Sequence, residues 1–478
     1  MSEFSRESST DWDRVVAAVR PHLDALLDTQ RTPWTRPVTS DDKAFYERSR
    51  DAGAAPERGT PLPELLTEIT STVLDRGYLN GAHPQYFGYF HPRPLPVAVL
   101  GDSIASLLNQ SPAAWRMGPA ATAMETETLS WVADFVGYPN ATVPGGIFTS
   151  GGTMANISAL KLARDAVLGD AVRENGITGG GTVYVSSELH YSVSRAMDFL
   201  GMGRAALRVV PTDRAGRITV PALRERIAAD VRAGHRPVAV VGLAGATATG
   251  AIDPLADLAQ VAADHDMWFH VDGAAAAVFA GLPRTRELFT GLASADSVTL
   301  DPHKWMFVPY GLGCLLVRDP SRLSASFADQ AHYWNHDSRA DFVFLGPEGA
   351  RPWRSLGLWL AMRHLGREGY ADLLLGNLDV ARHLADRVRA TDGLELLADP
   401  VLPICCFRAV PGRDGVDLTE YTERLHRAVV ERGDFHLTVC HPNGEPYLRV
   451  AVNNYTTRNE HVDALLEAVI DARATLDA

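Results

Sequence analysis

From Thr182 to Val317, short apolar runs alternate with segments of helical periodicity, and this alternation constrains the fold more than any other feature. Thr182 to Val185, Leu207 to Val210, Val238 to Leu243, Trp268 to Val271, Val298 to Leu300 and Cys314 to Val317 lack the in–out polarity of a strand with one wet face. They read as strands buried on both sides. Leu223 to Ala233 and Pro254 to Asp264 read as helices between them. The pattern predicts an α/β layer with a mostly parallel sheet, whose ligands bind beyond the carboxyl ends of the strands. Chemistry-bearing residues fall there repeatedly. His190 follows the first of these strands, Gly245 to Gly250 the third, Asp272 the fourth and Lys304 the fifth.

The flanks differ from this body. Thr10 and Asp13 make a capping-box-like start, and Trp12, Val15, Val16, Val19, Leu23, Leu26 and Leu27 recur at helical spacing. Leu65, Leu66, Ile69, Val73 and Leu74 mark a second helix. Such helices cannot close a core alone, so a partner subunit is the expected packing surface. Glu125, Leu129, Val132 and Phe135 continue a helix that ends near Gly137. Ser324 to Gly349 has no periodicity, and its length suggests a functional loop. A helix at Leu373 to Thr391, strands at Ile404 to Arg408 and Leu448 to Val452, and a last helix from Glu460 to Ala474 make a small α+β tail. The expected divisions are an N-terminal helical dimerisation segment (1–95), a large α/β domain (96–365) and a small C-terminal domain (366–478).

A formal charge of −13 argues against nucleic acid or an anionic membrane as the main partner. Cys314, Cys405, Cys406 and Cys440 form no C-x-x-C pair, which favours free thiols in a reducing, cytoplasmic setting over zinc or any other metal site. Met1 to Arg14 is polar and shows no secretory signal. The uncharged stretch Phe135 to Leu160 carries glycines and prolines and does not read as a membrane span.

Two motifs carry the chemistry. Asp301-Pro-His-Lys-Trp305 sets a lysine among aromatic and apolar neighbours, a setting that desolvates its amine, lowers its pKa and favours a nucleophile. His270-Val-Asp-Gly-Ala274 ends a buried strand on a carboxylate. Together they suggest a pyridoxal phosphate site, with the lysine in Schiff-base linkage and the aspartate holding the pyridine nitrogen protonated. Ser150-Gly151-Gly152-Thr153 opens a helix with bare amides at the positive end of the dipole, a phosphate cradle that is neither a Walker A loop nor G-x-G-x-x-G. The aromatic run His83 to Phe90 is either an interface or a pocket wall.

In this order the motifs resemble the group II pyridoxal-phosphate amino-acid decarboxylases, the family of the aromatic L-amino-acid and glutamate decarboxylases. The resemblance runs from about Leu65 to the C-terminus and includes Gly245 to Pro254 and Leu448-Arg-Val with Asn454, Thr456 and Thr457. It implies the type I fold of pyridoxal-phosphate transferases, a homodimer with shared active sites, and a lyase that turns an L-amino acid into an amine and CO2. It assigns Lys304, Asp272, His190 and Tyr333 to catalysis: Schiff base, ring nitrogen, ring stacking and proton delivery from a mobile loop. It places Gly151, Gly152, Thr153, Thr247, Ala274 and His303 around the cofactor, and Tyr89, Phe90 and His91 at the substrate. Where animal and plant aromatic decarboxylases set a tryptophan and a phenylalanine against the substrate ring, this chain has Gly81 and Ala113, and His91 replaces a proline beside them. An aromatic substrate is therefore disfavoured unless other residues refill the wall. Gly273 stands where the family has alanine. An aldehyde synthase of the same family and a non-catalytic pyridoxal-phosphate-binding protein are the alternatives. The presence of Lys304, Asp272 and His190 together disfavours the second.

Overall fold

The computed structural model describes residues 53–72, 80–139, 145–329 and 341–478, with isolated positions before them. The expected helix over Trp12 to Leu27 lies almost wholly outside the described residues, as do Val73 and Leu74 of the second helix; its first part is α1, Leu62–Ile69. Two helices follow, α2 (Pro96–Leu108) and α3 (Pro119–Val136), each with proline in its first turn and a left-handed residue, Asn109 or Gly137, at its end.

The main sheet has seven strands in the order β1-β7-β6-β5-β4-β2-β3. They are β1 (Gly146–Thr149), β2 (Gly181–Ser186), β3 (Leu207–Val210), β4 (Arg236–Leu243), β5 (Trp268–Asp272), β6 (Ser297–Leu300) and β7 (Gly313–Val317). β3, β2, β4, β5 and β6 are parallel neighbours. The helices α5 (Tyr191–Phe199), α6 (Val220–Arg232) and α7 (Leu255–Asp264) make the crossovers. Each expected strand is present, because a strand covered on both faces must be apolar throughout: Val238 to Val241 are fully buried. β7 runs antiparallel to β6, and β1, which the sequence did not signal, runs antiparallel to β7. Two reversals return β1 to the direction of β6, so its carboxyl end joins those of β2, β4 and β5 at one edge. Helix α4 (Gly152–Leu168) leaves that edge and packs across the sheet.

A second, antiparallel sheet has the order β10-β11-β9-β8, with β8 (Leu394–Leu396), β9 (Ile404–Ala409), β10 (Thr438–Cys440) and β11 (Tyr447–Ala451). Helices α9 (Ser355–Arg389), α10 (Leu418–Val430) and α11 (Asn459–Asp477) cover it, after the short α8 (Ser321–Phe327). Their shared core includes Phe87, Leu384, Phe407, Leu425, Leu448 and Leu465. α9 breaks at Gly366, whose φ of +64° only glycine adopts without strain. Its first part lies against α2 and α3 and its second against α11, β8 and β9. A buried ion pair of Glu125 with Arg351, joined by Ser355 Oγ at 2.8 Å, ties α3 to the start of α9. The aromatic run divides: Tyr86 and Phe87 are buried, Tyr89 is 63% exposed and Phe90 points toward Lys304. All four cysteines are buried free thiols. Among the described residues, no helix is long and apolar enough to cross a membrane.

Candidate active site

A cavity of about 300 Å³ opens where the carboxyl ends of β1, β2, β4 and β5 converge. Gly151, Gly152, Thr153, His190, Thr247, Asp272, Ala274, His303 and Lys304 all line it. The sequence had scattered these residues over more than 150 positions, and the parallel sheet gathers them at one edge. Tyr89, Phe90 and His91 are not on its wall, and Tyr333 lies outside the described residues.

The turn after β1 is built for close approach. Gly151 has a φ of +151°, and a Cβ on Gly152 would lie 2.7 Å from Asp301 Oδ2. Met154 and Ala155 both bond the Gly151 carbonyl, so the amides of Gly152 and Thr153 stand at the open end of α4, where the helix dipole favours an anion. Thr149 Oγ1 closes the turn onto the Gly151 carbonyl at 3.0 Å.

Asp272 ends β5 and is 6% exposed. Its carboxylate accepts from Asn156 Nδ2 at 2.8 Å and from the Ala274 amide at 3.2 Å. A carboxylate only accepts, so the Asn156 amide is oriented with Oδ1 toward His270 Nε2, 3.1 Å away. His270 therefore carries its proton on Nε2, and its Nδ1 accepts from Ser297 Oγ at 2.9 Å, which in turn accepts from Trp268 Nε1 at 2.8 Å. Complete burial pushes the His270 pKa down to about 4, so the ring is neutral. The second Asn156 N–H donates to Ser192 Oγ at 2.9 Å. That leaves the Ser192 hydroxyl hydrogen for His190 Nδ1, 2.8 Å away, which the Ser192 amide also approaches at 3.3 Å. His190 caps α5 by this route and carries its own proton on Nε2. Burial lowers its pKa more than the nearby Asp272 raises it.

Lys304 Nζ lies 3.0 Å from Asp301 Oδ2 and 5.4 Å from the centre of the Phe90 ring. The sequence anticipated the aromatic and apolar neighbours but not the carboxylate. Phe307, three residues on, has a φ of +54°, an uncommon conformation for a bulky residue. Its carbonyl accepts from the Leu95 amide at 2.8 Å. Trp305 is fully buried and anchors the segment to the Val452 carbonyl. His303 donates from Nδ1 to the Leu312 carbonyl at 2.7 Å, and burial lowers its pKa.

Beside the cavity, the His91 ring occupies the space above Gly81. A Cβ on Gly81 would come within 2.6 Å of it, so the ring leaves no room for a larger side chain at position 81. His91 meets Tyr310 edge to face at 5.1 Å, and Tyr310 bonds the Phe90 carbonyl. Gly273 is confined in the same way: its Cβ would lie 2.5 Å from that of Ala277.

Three residues at the site were given no role from the sequence: Asn156, Asp301 and Arg449. Asn156 and Arg449 are polar side chains among apolar neighbours, and Asp301 opens the lysine motif; those were the available signals. Arg449 is 5% exposed and pairs with no carboxylate among the described residues; it donates to the carbonyls of Thr247 (3.0 Å), Ala248 (3.1 Å) and Gly88 (2.7 Å).

Residues 45–410 match the family described as the pyridoxal-dependent decarboxylase conserved domain. The chain is 29% identical over 453 residues to an aromatic-L-amino-acid decarboxylase of Bacillus atrophaeus, covering 93% of this chain and 92% of that one. It is 31% identical over 434 residues to an L-2,4-diaminobutyrate decarboxylase of Rhizobium meliloti, covering 89% and 85%. Its fold matches that of Catharanthus roseus tryptophan decarboxylase in complex with L-tryptophan, with a TM-score of 0.87, 23% identity and coverage of 99% and 100%. With a partly buried lysine, a strand-end carboxylate and a glycine cradle at one edge of a type I sheet, the chain belongs to the pyridoxal-dependent decarboxylases.

Proposed function

We propose that the protein removes the α-carboxylate of a free L-amino acid as CO2 and releases the amine, with Lys304, Asp272, His190 and Tyr333 as its catalytic residues. The observation that carries this reading is the meeting of Lys304, Asp272 and the Gly151–Gly152 turn in one cavity. Pyridoxal phosphate fits these residues, because a Cβ at Gly152 would block the cradle and Asp272 is held as an acceptor at the cavity floor. Bound there, it supplies a protonated ring that accepts the electron pair left by CO2.

The chain's own residues divide the work. Lys304 would hold the cofactor through its amine, at the mouth of the glycine cradle. Asp272 holds a proton on the ring nitrogen through a charge-assisted hydrogen bond. His190 presents its flat ring and its Nε2–H to the cavity. Gly151, Gly152, Thr153 and His303 bind the phosphate, with Thr247 and Ala274 completing the surround. Tyr333 delivers the proton that replaces CO2. Tyr89, Phe90 and His91 border the substrate side chain. His91 fills the space beside Gly81, so the glycine there does not by itself disfavour an aromatic substrate.

The finer organisation is part of the same proposal. The division into 1–95, 96–365 and 366–478 is supported by the break in α9 at Gly366 and by the separate core of the second sheet. A homodimer is supported by apolar side chains that a single chain leaves uncovered: Val99, Leu100, Leu107 and Leu108 on α2, with Met117 after it, are 42–63% exposed. Four buried thiols, with no disulfide among them, support a cytoplasmic setting.

Incubation with each common L-amino acid, with amine detected by mass and oxygen uptake followed in parallel, tests the reaction. Lys304→Ala is expected to show neither turnover nor the visible absorbance of the lysine-bound cofactor. Amine formation by that variant at the wild-type rate overturns the assignment. Oxygen uptake matching an aldehyde product in the wild type would favour the aldehyde synthase.

A further inference from the structure

A second cavity, of about 710 Å³, opens at the seam between the two sheets. Its walls come from the chain between β3 and α6, the loop after β4, and the β8–β9 connection with the start of β9. Ile218, Ile252, Leu288, Val401 and Ile404 give it an apolar lining. A space of this size and character, at a boundary between two cores, has the form of a small-molecule site. It has no lining residue in common with the catalytic cavity, but the two share a loop: Thr249 lines this one and Thr247 the other.

Charge decides what such a space admits. Asp213, Asp253, Asp399 and Arg217 are the charged residues on its wall. Arg217 is committed to Asp213 at 2.7 Å, and Asp399 pairs with Arg389. Asp253 differs from both. It is 3% exposed, and its two oxygens accept only from backbone amides, Ile218 at 2.7 Å and Leu243 at 2.8 Å. No cation pairs with it among the described residues, and Asp213 and Glu188 add negative charge nearby. Burial pushes its pKa up to about 6. Above that pH an ionised carboxylate stands on the wall with acceptor capacity to spare.

A cation with an apolar body satisfies both features. Its ammonium donates to Asp253 in a charge-assisted hydrogen bond, and its hydrocarbon covers the apolar walls. The same carboxylate repels anions, and an amino acid carries one. Loss of that group as CO2 turns a zwitterion, which this cavity disfavours, into a monocation, which it accepts.

We propose that the second cavity is a binding site for hydrophobic ammonium ions, the class to which the amine released by the proposed reaction belongs. The identity of the natural occupant rests on that reading; the preference for an apolar cation does not. An amine held there lies against the loop that carries Thr247 and Thr249, and so touches the back of a catalytic wall without entering the catalytic cavity.

The test uses N,N-dimethylhexylamine, a tertiary amine that cannot condense with an aldehyde and therefore cannot bond the cofactor. Its binding to the holoenzyme is measured by calorimetry at pH 8, beside hexan-1-ol and hexanoate. The amine is expected to bind once per chain and at least about tenfold tighter than either comparison compound. Val401→Trp, which fills the cavity from a half-buried position on its wall, is expected to abolish binding. Asp253→Asn is expected to bring the amine down to the level of the alcohol. Absence of binding, equal or tighter binding of hexanoate, or undiminished amine binding in Val401→Trp overturns the proposal. If Asp253→Asn does not fold, because Asp253 also holds two backbone amides, Val401→Trp and the hexanoate comparison decide. A protein that binds the amine in this way but forms none from any L-amino acid keeps the site and loses the reaction, so the two readings fail separately.

Discussion

Asn156 Nδ2 donates to Asp272 Oδ2 at 2.8 Å, and this one bond couples the cavity floor to a chain of buried groups ending at the Trp268 indole. Both N–H groups of the Asn156 amide donate and its oxygen accepts. Every hydrogen in the chain is fixed by its neighbours. Such a network specifies a single arrangement, and a single deletion leaves several groups unsatisfied at once.

Asn156→Ala removes one donor from Asp272 and strands His270 Nε2. The expected loss of stability is about 1–3 kcal/mol, read by denaturant titration. Turnover should fall at least tenfold, with a shifted pH profile of the bound cofactor's absorbance. A variant with lower stability but an unchanged profile would reduce Asn156 to a packing role.

The buried histidine also sets an acid limit. His270 has a folded-state pKa of about 4 against an unfolded value near 6.5, so its contribution is fully present above pH 6.5. It is lost as pH falls toward 4, because the unfolded chain binds a proton that the folded one refuses. The lost stability is about 3 kcal/mol from this group. Asp253, raised by burial to about 6, has the opposite sign and loses stability as pH rises from about 4 to 6. Urea titrations of wild type and His270→Gln at pH 7 and pH 5 isolate the histidine: the acid loss should be smaller in the variant. An identical loss in both would place the acid sensitivity elsewhere.

His91 fills the space above Gly81, so its removal should take away a wall that an aromatic side chain packs against. His91→Ala is expected to lower kcat/KM for an aromatic L-amino acid relative to a small aliphatic one by about tenfold. An unchanged ratio would mean that the substrate side chain lies elsewhere.

Tyr333 separates decarboxylation from aldehyde formation. Tyr333→Phe keeps the ring and removes the proton, leaving the carbon that has lost CO2 open to oxygen. The variant should still release CO2 but give mainly aldehyde, with oxygen consumed. Amine at the wild-type rate with no oxygen uptake would pass the proton-donor role to His190.

The sheet was legible because burial on both faces demands unbroken apolar runs, as at Val238 to Leu243. β1 was not, because Gly146–Thr149 is short, begins with glycine and pairs antiparallel at an edge. The cofactor surround was legible because each group follows a strand and the topology brings strand ends together. Asn156, Asp301 and Arg449 escaped notice as actors because their roles depend on neighbours 36 to 361 residues away or on a counter-charge that spacing does not reveal. The filling of the space beside Gly81 by His91 was open for the same reason: sequence shows which side chain is absent, and only packing shows what stands there.

Arg449 joins β11 to the carbonyl of Thr247, 202 residues earlier, and to that of Gly88, 361 residues earlier. A chain growing on a ribosome has therefore exposed the Thr247 loop of the cavity and the strip at Gly88 long before the side chain that fastens them emerges. The Gly88 strip and the Thr247 loop stay untied until synthesis is almost complete. Premature termination between positions 305 and 448 leaves a polypeptide with the lysine, the aspartate and the glycine cradle all present and no clasp to hold the Thr247 loop and the Gly88 strip together.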